Sequence, residues 1–277
     1  MTAATGPTAA TGPTAVAGPT AGTGLFATYP SLRGKVVLIS GGATGLGAEF
    51  VSQFAAQGAR VAFVDIQDDA GEALVDAVAA SGCPRPLYQH ADVRDLPGYQ
   101  QVIGELAGAL GHVEVLINNA ANDARHTGDQ VHPGFWDERM RVNLDHHYFA
   151  ARAVVPMMRA AGGGSIVNLG SISTHIKLTD LVVYRTAKAG VEGLTRALAQ
   201  ELGVFGIRVN CIIPGWVMTA RQLAYWVDAE AEATLAREQA LKRKIVPADV
   251  ARMALWLAAE DSNGCTGQNW IVDGGWM

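Results

Sequence analysis

The chain has 277 residues and a formal net charge of −5, a length at which one α/β domain can bury a large core and use the whole sequence. No run of Lys and Arg is dense enough to follow a phosphate backbone, which sets nucleic acid aside. No apolar stretch approaches the roughly 20 residues of a membrane-spanning helix, so a soluble protein without a membrane partner is expected.

Residues 1–24 repeat Thr, Gly, Pro and Ala and offer almost nothing to bury, which predicts a disordered tail ahead of a single domain over residues 25–277. The segment lacks the charged start and apolar middle of a signal peptide. Cys83, Cys211 and Cys265 are odd in number, far apart and without metal-ligand spacing. They read as reduced thiols of a cytoplasmic protein that holds no metal.

The first apolar run, VVLIS (36–40), leads into SGGATGLG, with Gly41, Gly45 and Gly47 in the pattern GxxxGxG. Such glycines permit a tight turn, let the backbone approach a pyrophosphate and aim the next helix's amino terminus at the phosphates; the plain alternative is a turn and nothing more. A helical pattern, AEFVSQFAAQGA, follows and ends at Gly58. The second run, VAFVD (61–65), ends at Asp65, eighteen residues after Gly47, near the ~20 expected for an acidic residue on the adenosine ribose. A carboxylate there accepts from ribose hydroxyls and repels a 2′-phosphate, and no Arg or Lys lies in the glycine turn or just after Asp65. NAD is therefore favoured over NADP. Asp65 capping the DDAGEAL segment is the alternative, although Asp68 and Asp69 are better placed for that.

VEVLI (113–117) empties into NNAANDARHTG, which gathers Asn122, Asp123, Arg125 and His126 at the end of a strand. SIVNL (165–169) places Ser171 just past another strand end, and YRTAK, from Tyr184 to Lys188, opens a helix thirteen residues later. Positions four apart share a helical face, so phenol and ammonium project side by side. The ammonium is expected to lower the phenol's pKa from about 10 and make Tyr184 a general acid/base. IRVNCII (207–213) is the last of these strands. All are nearly continuously apolar rather than alternating, so they read as strands of a parallel, doubly wound α/β sheet with helices on both faces. Such sheets bind ligands beyond the carboxyl ends of their strands.

Taken together, the glycine pattern, Asp65, Asp92 and Val93 in HADV, NNAA at Asn118 to Ala121, Asn143 in RVNL, Ser171, Tyr184, Lys188, PGWVMT at Pro214 to Thr219 and TGQNWIVDGG fall in one order. In that order the chain resembles the short-chain dehydrogenase/reductase family from about Leu32 to the carboxyl terminus. It departs at Ser40, where Thr is usual, and at Ala121, where Gly is usual. The resemblance implies a single Rossmann-type sheet of about seven strands, a homotetramer, and a catalytic set of Asn143, Ser171, Tyr184 and Lys188. By the same resemblance Tyr184 takes the substrate's hydroxyl proton, Ser171 holds that oxygen, Lys188 binds the nicotinamide ribose, and Asn143 helps a water relay protons. The dinucleotide groove is implied at Gly41, Thr44, Gly45, Leu46, Gly47, Asp65, Ile66, Asp92, Val93, Asn119, Ala120, Ala121, Pro214, Gly215, Val217 and Thr219, beside Tyr184 and Lys188.

The implied fold sets Asn122, Asp123, Arg125 and His126 beside the nicotinamide. Amide, carboxylate, guanidinium and imidazole suit a substrate with a hydroxyl on almost every carbon better than a steroid or acyl chain. Ser173, Thr174 and His175 follow the catalytic serine. Trp216, Gln222 and Trp226 enter a substrate lid at about residues 216–245, where an aromatic face can cover the CH side of a sugar ring. NDARH, DLVVYRTAKAG and CTGQNWIVDGGW together resemble the sugar 1-dehydrogenases of the family. The expectation is NAD-dependent oxidation of an aldose at its anomeric carbon, with a pentose such as L-arabinose or D-xylose in front. The alternatives are an oxidoreductase of a polyol, hydroxy acid or ketone, and a regulatory protein that binds the dinucleotide without turnover.

Overall fold

A computed structural model describes residues 26–277; the repeat over residues 1–24 lies outside the described residues. Seven parallel strands form one sheet in the order β3-β2-β1-β4-β5-β6-β7. They are β1 (Val36–Ser40), β2 (Arg60–Asp65), β3 (Leu87–His90), β4 (Val115–Asn118), β5 (Gly164–Leu169), β6 (Ile207–Pro214) and β7 (Asn269–Val272). The chain runs outward from β1 to β3, then returns to place β4 on the other side of β1. The strand order reverses between β1 and β4, and at such a switch point the flanking loops part to leave a crevice.

The helices are α1 (Gly45–Ala56), α2 (Asp68–Ala80), α3 (Leu96–Leu110), α4 (Pro133–Met140), α5 (His146–Ala160), α6 (Val182–Leu202), α7 (Ala220–Tyr225), α8 (Ala229–Glu238) and α9 (Pro247–Ala258). Side chains alternate across a strand, so β1 feeds two cores. Val37 and Ile39 pack with Phe50 and Phe54 of α1 and Ala254 of α9. Val36 and Leu38 pack with Ile103 of α3, Val154 of α5 and Leu198 of α6. Burial of each such side chain contributes roughly 1.5–3 kcal/mol, which is why both faces of the sheet are closed by helices.

One strand is offset from its apolar run. VEVLI begins at residue 113, but the ladder starts at Val115; Glu114 is taken up as a bracket, its carboxylate accepting from the Val36 N–H at 3.1 Å. The capping expectation for Asp68 and Asp69 is corrected. Gln67 stands at the N-cap of α2 without a side-chain bond, and Asp68 instead accepts from the Tyr88 hydroxyl at 2.6 Å and pairs with His90 Nδ1 at 2.8 Å. Between α4 and α5 the chain makes a π turn over Arg141–Asp145, a widened helical turn often found at functional sites.

Candidate active site

A cavity of about 1350 Å³ opens at the carboxyl ends of the strands, from Asp65 on β2 to Tyr184 on α6. Its near end is a backbone cradle. A Cβ on Gly47 would fall 1.8 Å from the Gly41 carbonyl oxygen, and Gly41, at φ +66°, would drive one to 2.8 Å from Ala120 Cα. Glycine is therefore required at both positions. Thr44 precedes α1 without capping it, so the helix's first N–H groups stay open to the cavity, an arrangement that holds phosphate.

Asp65 is buried at the rim of this cradle. Its Oδ2 accepts from the Ala43 N–H at 3.0 Å and its Oδ1 from the Ile66 and Gln67 N–H groups at 2.8 and 3.1 Å. The carboxylate thus braces both the glycine loop and the turn into α2, and Asp65 lines the cavity with acceptor capacity to spare. Asp92, Val93, Asn119, Ala120, Ala121, Pro214, Gly215, Val217 and Thr219 also line the cavity. The Ser40 hydroxyl accepts from the Asn119 and Ala120 N–H groups at 3.0 and 3.1 Å, so serine suffices where threonine was the expected type.

Several lining residues had no signal in the sequence. Arg94 reaches the cavity, where its Nε and Nη2 grip the Asp92 carboxylate and its Nη1 donates to Glu138 at 2.9 Å. Trp276 also lines the cavity, held by a terminal turn that Asp273 organises: its carboxylate accepts from the Gly275, Trp276 and Met277 N–H groups. The CTGQNWIVDGGW signature contained Trp276 but gave no reason to point it inward.

At the far end stand Ser171, Tyr184 and Lys188. Ser171 Oγ lies 2.9 Å from Ser173 Oγ and accepts from the Ser173 N–H at 3.2 Å. Lys188, buried, donates to the Leu169 carbonyl at 2.7 Å, which leaves two of its N–H donors. The expected lowering of the phenol by Lys188 is corrected. Burial and the Asp123 carboxylate push Tyr184 up to about 12, against opposition from Ser171 and Arg125. Lys188 sits 5.8 Å from the ring centroid, and burial brings its own pKa down to about 8.

Of the proposed polar wall, Asn122, Asp123, Arg125, Ser173, Trp216 and Gln222 line the cavity. They are linked: Gln222 accepts from Trp216 Nε1 at 2.8 Å and donates to Asp123 Oδ2 at 2.8 Å, while Arg221 approaches Asp123 at 3.4 Å. Thr219 caps α7 and presents it to this network. Four expected contacts lie elsewhere, Thr174 among them, its hydroxyl set between the Ser171 carbonyl and Glu192. His126 is buried, with Nδ1 at the Ala124 carbonyl and Nε2 accepting from the Val183 N–H, so the ring fastens the loop to the start of α6. His175 turns away to Glu192 at 2.8 Å. Trp226 stands behind the wall, under the Arg125 guanidinium at 5.1 Å from its ring centroid.

Asn143 sits in the π turn, behind the cavity surface. Its Oδ1 accepts from the Asn122 N–H at 2.8 Å and its Nδ2 donates to the Asn122 and Arg139 carbonyls. In this structure its carboxamide fixes the backbone of the wall.

A glycine cradle with a ribose-competent carboxylate at one end, and Ser, Tyr and Lys converging at the other, define an oxidoreductase that works with a nicotinamide dinucleotide. The chain belongs to the short-chain dehydrogenase/reductase family: a family profile described as enoyl-(acyl carrier protein) reductase matches residues 41–277. It is 48% identical over 250 residues to D-xylose 1-dehydrogenase of Caulobacter vibrioides, covering 90% of this chain and 98% of that one. It is 44% identical over 247 residues to the probable galactose dehydrogenase GalD of Rhizobium meliloti, covering 89% and 96%. Among solved structures, a putative gluconate dehydrogenase from Agrobacterium tumefaciens superposes with a TM-score of 0.85 at 27% identity, covering 90% of this chain and 98% of that one.

Proposed function

We propose that the protein is an NAD-dependent aldose 1-dehydrogenase that oxidises a cyclic sugar at its anomeric carbon to the lactone. The observation that carries the reading is the hydrogen-bonded wall of Asp123, Gln222 and Trp216 facing Tyr184 and Ser171 across the cavity. A ring dense in hydroxyls satisfies such a wall, whereas a steroid would leave its polar groups without partners. The relatives' names support the same class.

The bound nicotinamide supplies the hydride acceptor. Tyr184 takes the anomeric hydroxyl proton at its phenolic oxygen, and Ser171 holds the sugar oxygen as the lactone carbonyl forms. Lys188, with two N–H donors left after its bond to the Leu169 carbonyl, would hold the nicotinamide ribose and steady the phenolate. Asn143 acts through the Asn122 backbone that it holds. Asp65 favours NAD, and the Arg94 guanidinium, committed to Asp92 and Glu138, is not free to meet a 2′-phosphate.

The family resemblance extends the proposal to a homotetramer in the cytoplasm. Among the described residues no helix is long and apolar enough to cross a membrane. The exposed Trp136, Tyr148 and Val182, on α4, α5 and α6, offer apolar surface for assembly. Light scattering of the purified protein reads the oligomer directly.

The deciding experiment follows NADH or NADPH absorbance with the purified protein and a panel of L-arabinose, D-xylose, D-galactose, L-fucose, D-glucose, a polyol and a hydroxysteroid. Turnover of one or two aldoses with NAD is expected. Silence on every aldose, with turnover of another alcohol, would replace the sugar reading and leave the cavity chemistry standing.

A further inference from the structure

Glu192 is a buried carboxylate that the proton and hydride steps leave unused. It lies on α6 four residues beyond Lys188 and eight beyond Tyr184, so all three share one helical face, and it is 7% exposed. A carboxylate at such depth needs donors, and here they come from two other elements. Oε1 meets His175 Nε2 at 2.8 Å and Thr174 Oγ1 at 3.0 Å, and Oε2 accepts from Asn269 Nδ2 of β7 at 2.6 Å. Thr174 and His175 belong to the short turn that begins at Ser171. The Thr174 hydroxyl has one proton and also faces the Ser171 carbonyl at 2.9 Å, so His175 is the undivided donor from that turn.

We propose that Glu192 and His175 form a strut that sets Ser171 at its working distance from Tyr184. One end is rooted in the helix that carries Tyr184 and Lys188, and the other in the turn that carries Ser171. Both are positioning residues, and neither lines the cavity. The proposal rests on the dehydrogenase reading for its kinetic consequence, but its geometry is independent of which alcohol is oxidised. A displaced Ser171 weakens its hold on the reacting oxygen, most of all in the transition state, while the glycine cradle at the opposite end is untouched. Loss of the strut therefore lowers kcat and spares dinucleotide binding.

The test uses the full chain with three substitutions, His175→Leu, Glu192→Leu and Glu192→Gln, and the pair His175→Leu/Glu192→Leu. Leucine at either position is expected to lower kcat about tenfold or more, with the NADH dissociation constant changed less than about twofold, and the double variant is expected to be no worse than the poorer single one. Glu192→Gln keeps an acceptor for His175, and the unpartnered Asn269 Oδ1 can turn to receive the new amide, so it is expected to retain kcat within about threefold. His175 is 31% exposed in its side chain, so its leucine variant folds even if Glu192→Leu does not. The alcohol used is whichever the wild type oxidises, which separates failure of the strut from failure of the sugar assignment. Hydrogen exchange in the NADH complex adds a readout that needs no turnover: faster exchange over residues 171–176 in His175→Leu is expected. A wild-type kcat in His175→Leu, unchanged exchange in that turn, additive losses in the double variant, or kcat and NADH affinity falling together would each overturn the proposal.

Discussion

Tyr184 is under two opposed demands. Proton removal needs the phenolate, yet burial and Asp123 push the free phenol up to about 12. Tyr184→Phe is expected to lower turnover by about 10²–10⁴-fold while leaving NADH binding, read by fluorescence titration, nearly intact. Asp123 raises the phenol's pKa because a nearby negative charge disfavours phenolate, so Asp123→Asn is expected to move the rise of kcat/KM to lower pH. The same change removes an acceptor from the wall, so KM for the sugar is expected to rise. A profile that stayed in place or moved to higher pH would contradict the assigned role of Asp123. Much of this site is legible in the sequence because its chemistry is local: Tyr184 and Lys188 are one helical turn apart, and Gly41 and Gly47 sit in one loop. The directions of His126 and His175 are not, since loop residues carry no period that fixes where a side chain points. Arg94 and Trp276 reach the cavity through contacts that no spacing announces, with Glu138 and with the turn at Asp273.

Helix α7 touches the β4 loop through few groups. Gln222 spans from Trp216 to Asp123, and Arg125 reaches over Trp226. Gln222→Leu removes both of its hydrogen bonds and leaves Asp123 without its closer partner, at about 1–3 kcal/mol for the unsatisfied group. The expected outcome is a rise of about tenfold in KM for the sugar with the NADH dissociation constant nearly unchanged, measured by steady-state kinetics and titration. Equal loss of both would show that α7 orders the dinucleotide cradle as well. Elements differ in legibility for a related reason. The five central strands announce themselves as apolar runs because both their faces are buried. The edge strands β3 and β7, LYQH and NWIV, carry partly exposed residues and have no such run, so their presence was implied only by the family resemblance. The π turn at Asn143 left no pattern either, because it depends on the carboxamide closing onto Asn122.

At the scale of the whole molecule, the same switch point that opens the cavity also stores a liability to acid. His146 and His147 begin α5 fully buried, with ring centroids 4.3 Å apart, behind the loop that lines the cavity. His146 Nε2 bonds the Ala120 carbonyl at 3.0 Å, and His147 Nδ1 meets Asn168 Oδ1 at 3.3 Å. Burial, with Lys188 nearby, brings His146 down to about 3, and burial, with His146 and Lys188, holds His147 well below its usual range. Both rings are therefore neutral in the fold but take a proton in the unfolded chain once the pH drops below about 6.5. The unfolded state then binds more protons, so stability is complete above that pH and falls as the medium becomes acidic, by up to about 1.4 kcal/mol per pH unit for each ring. Urea denaturation from pH 7 to pH 5 is expected to show this decline. His147→Gln removes one of the two titrating groups, and whatever it does to stability at pH 7, the slope of stability against pH below about 6.5 is expected to become shallower by up to one proton's worth. A slope unchanged by the substitution would mean that His147 stays neutral in both states or accepts its proton within the fold, and the acid sensitivity would have to arise from other groups.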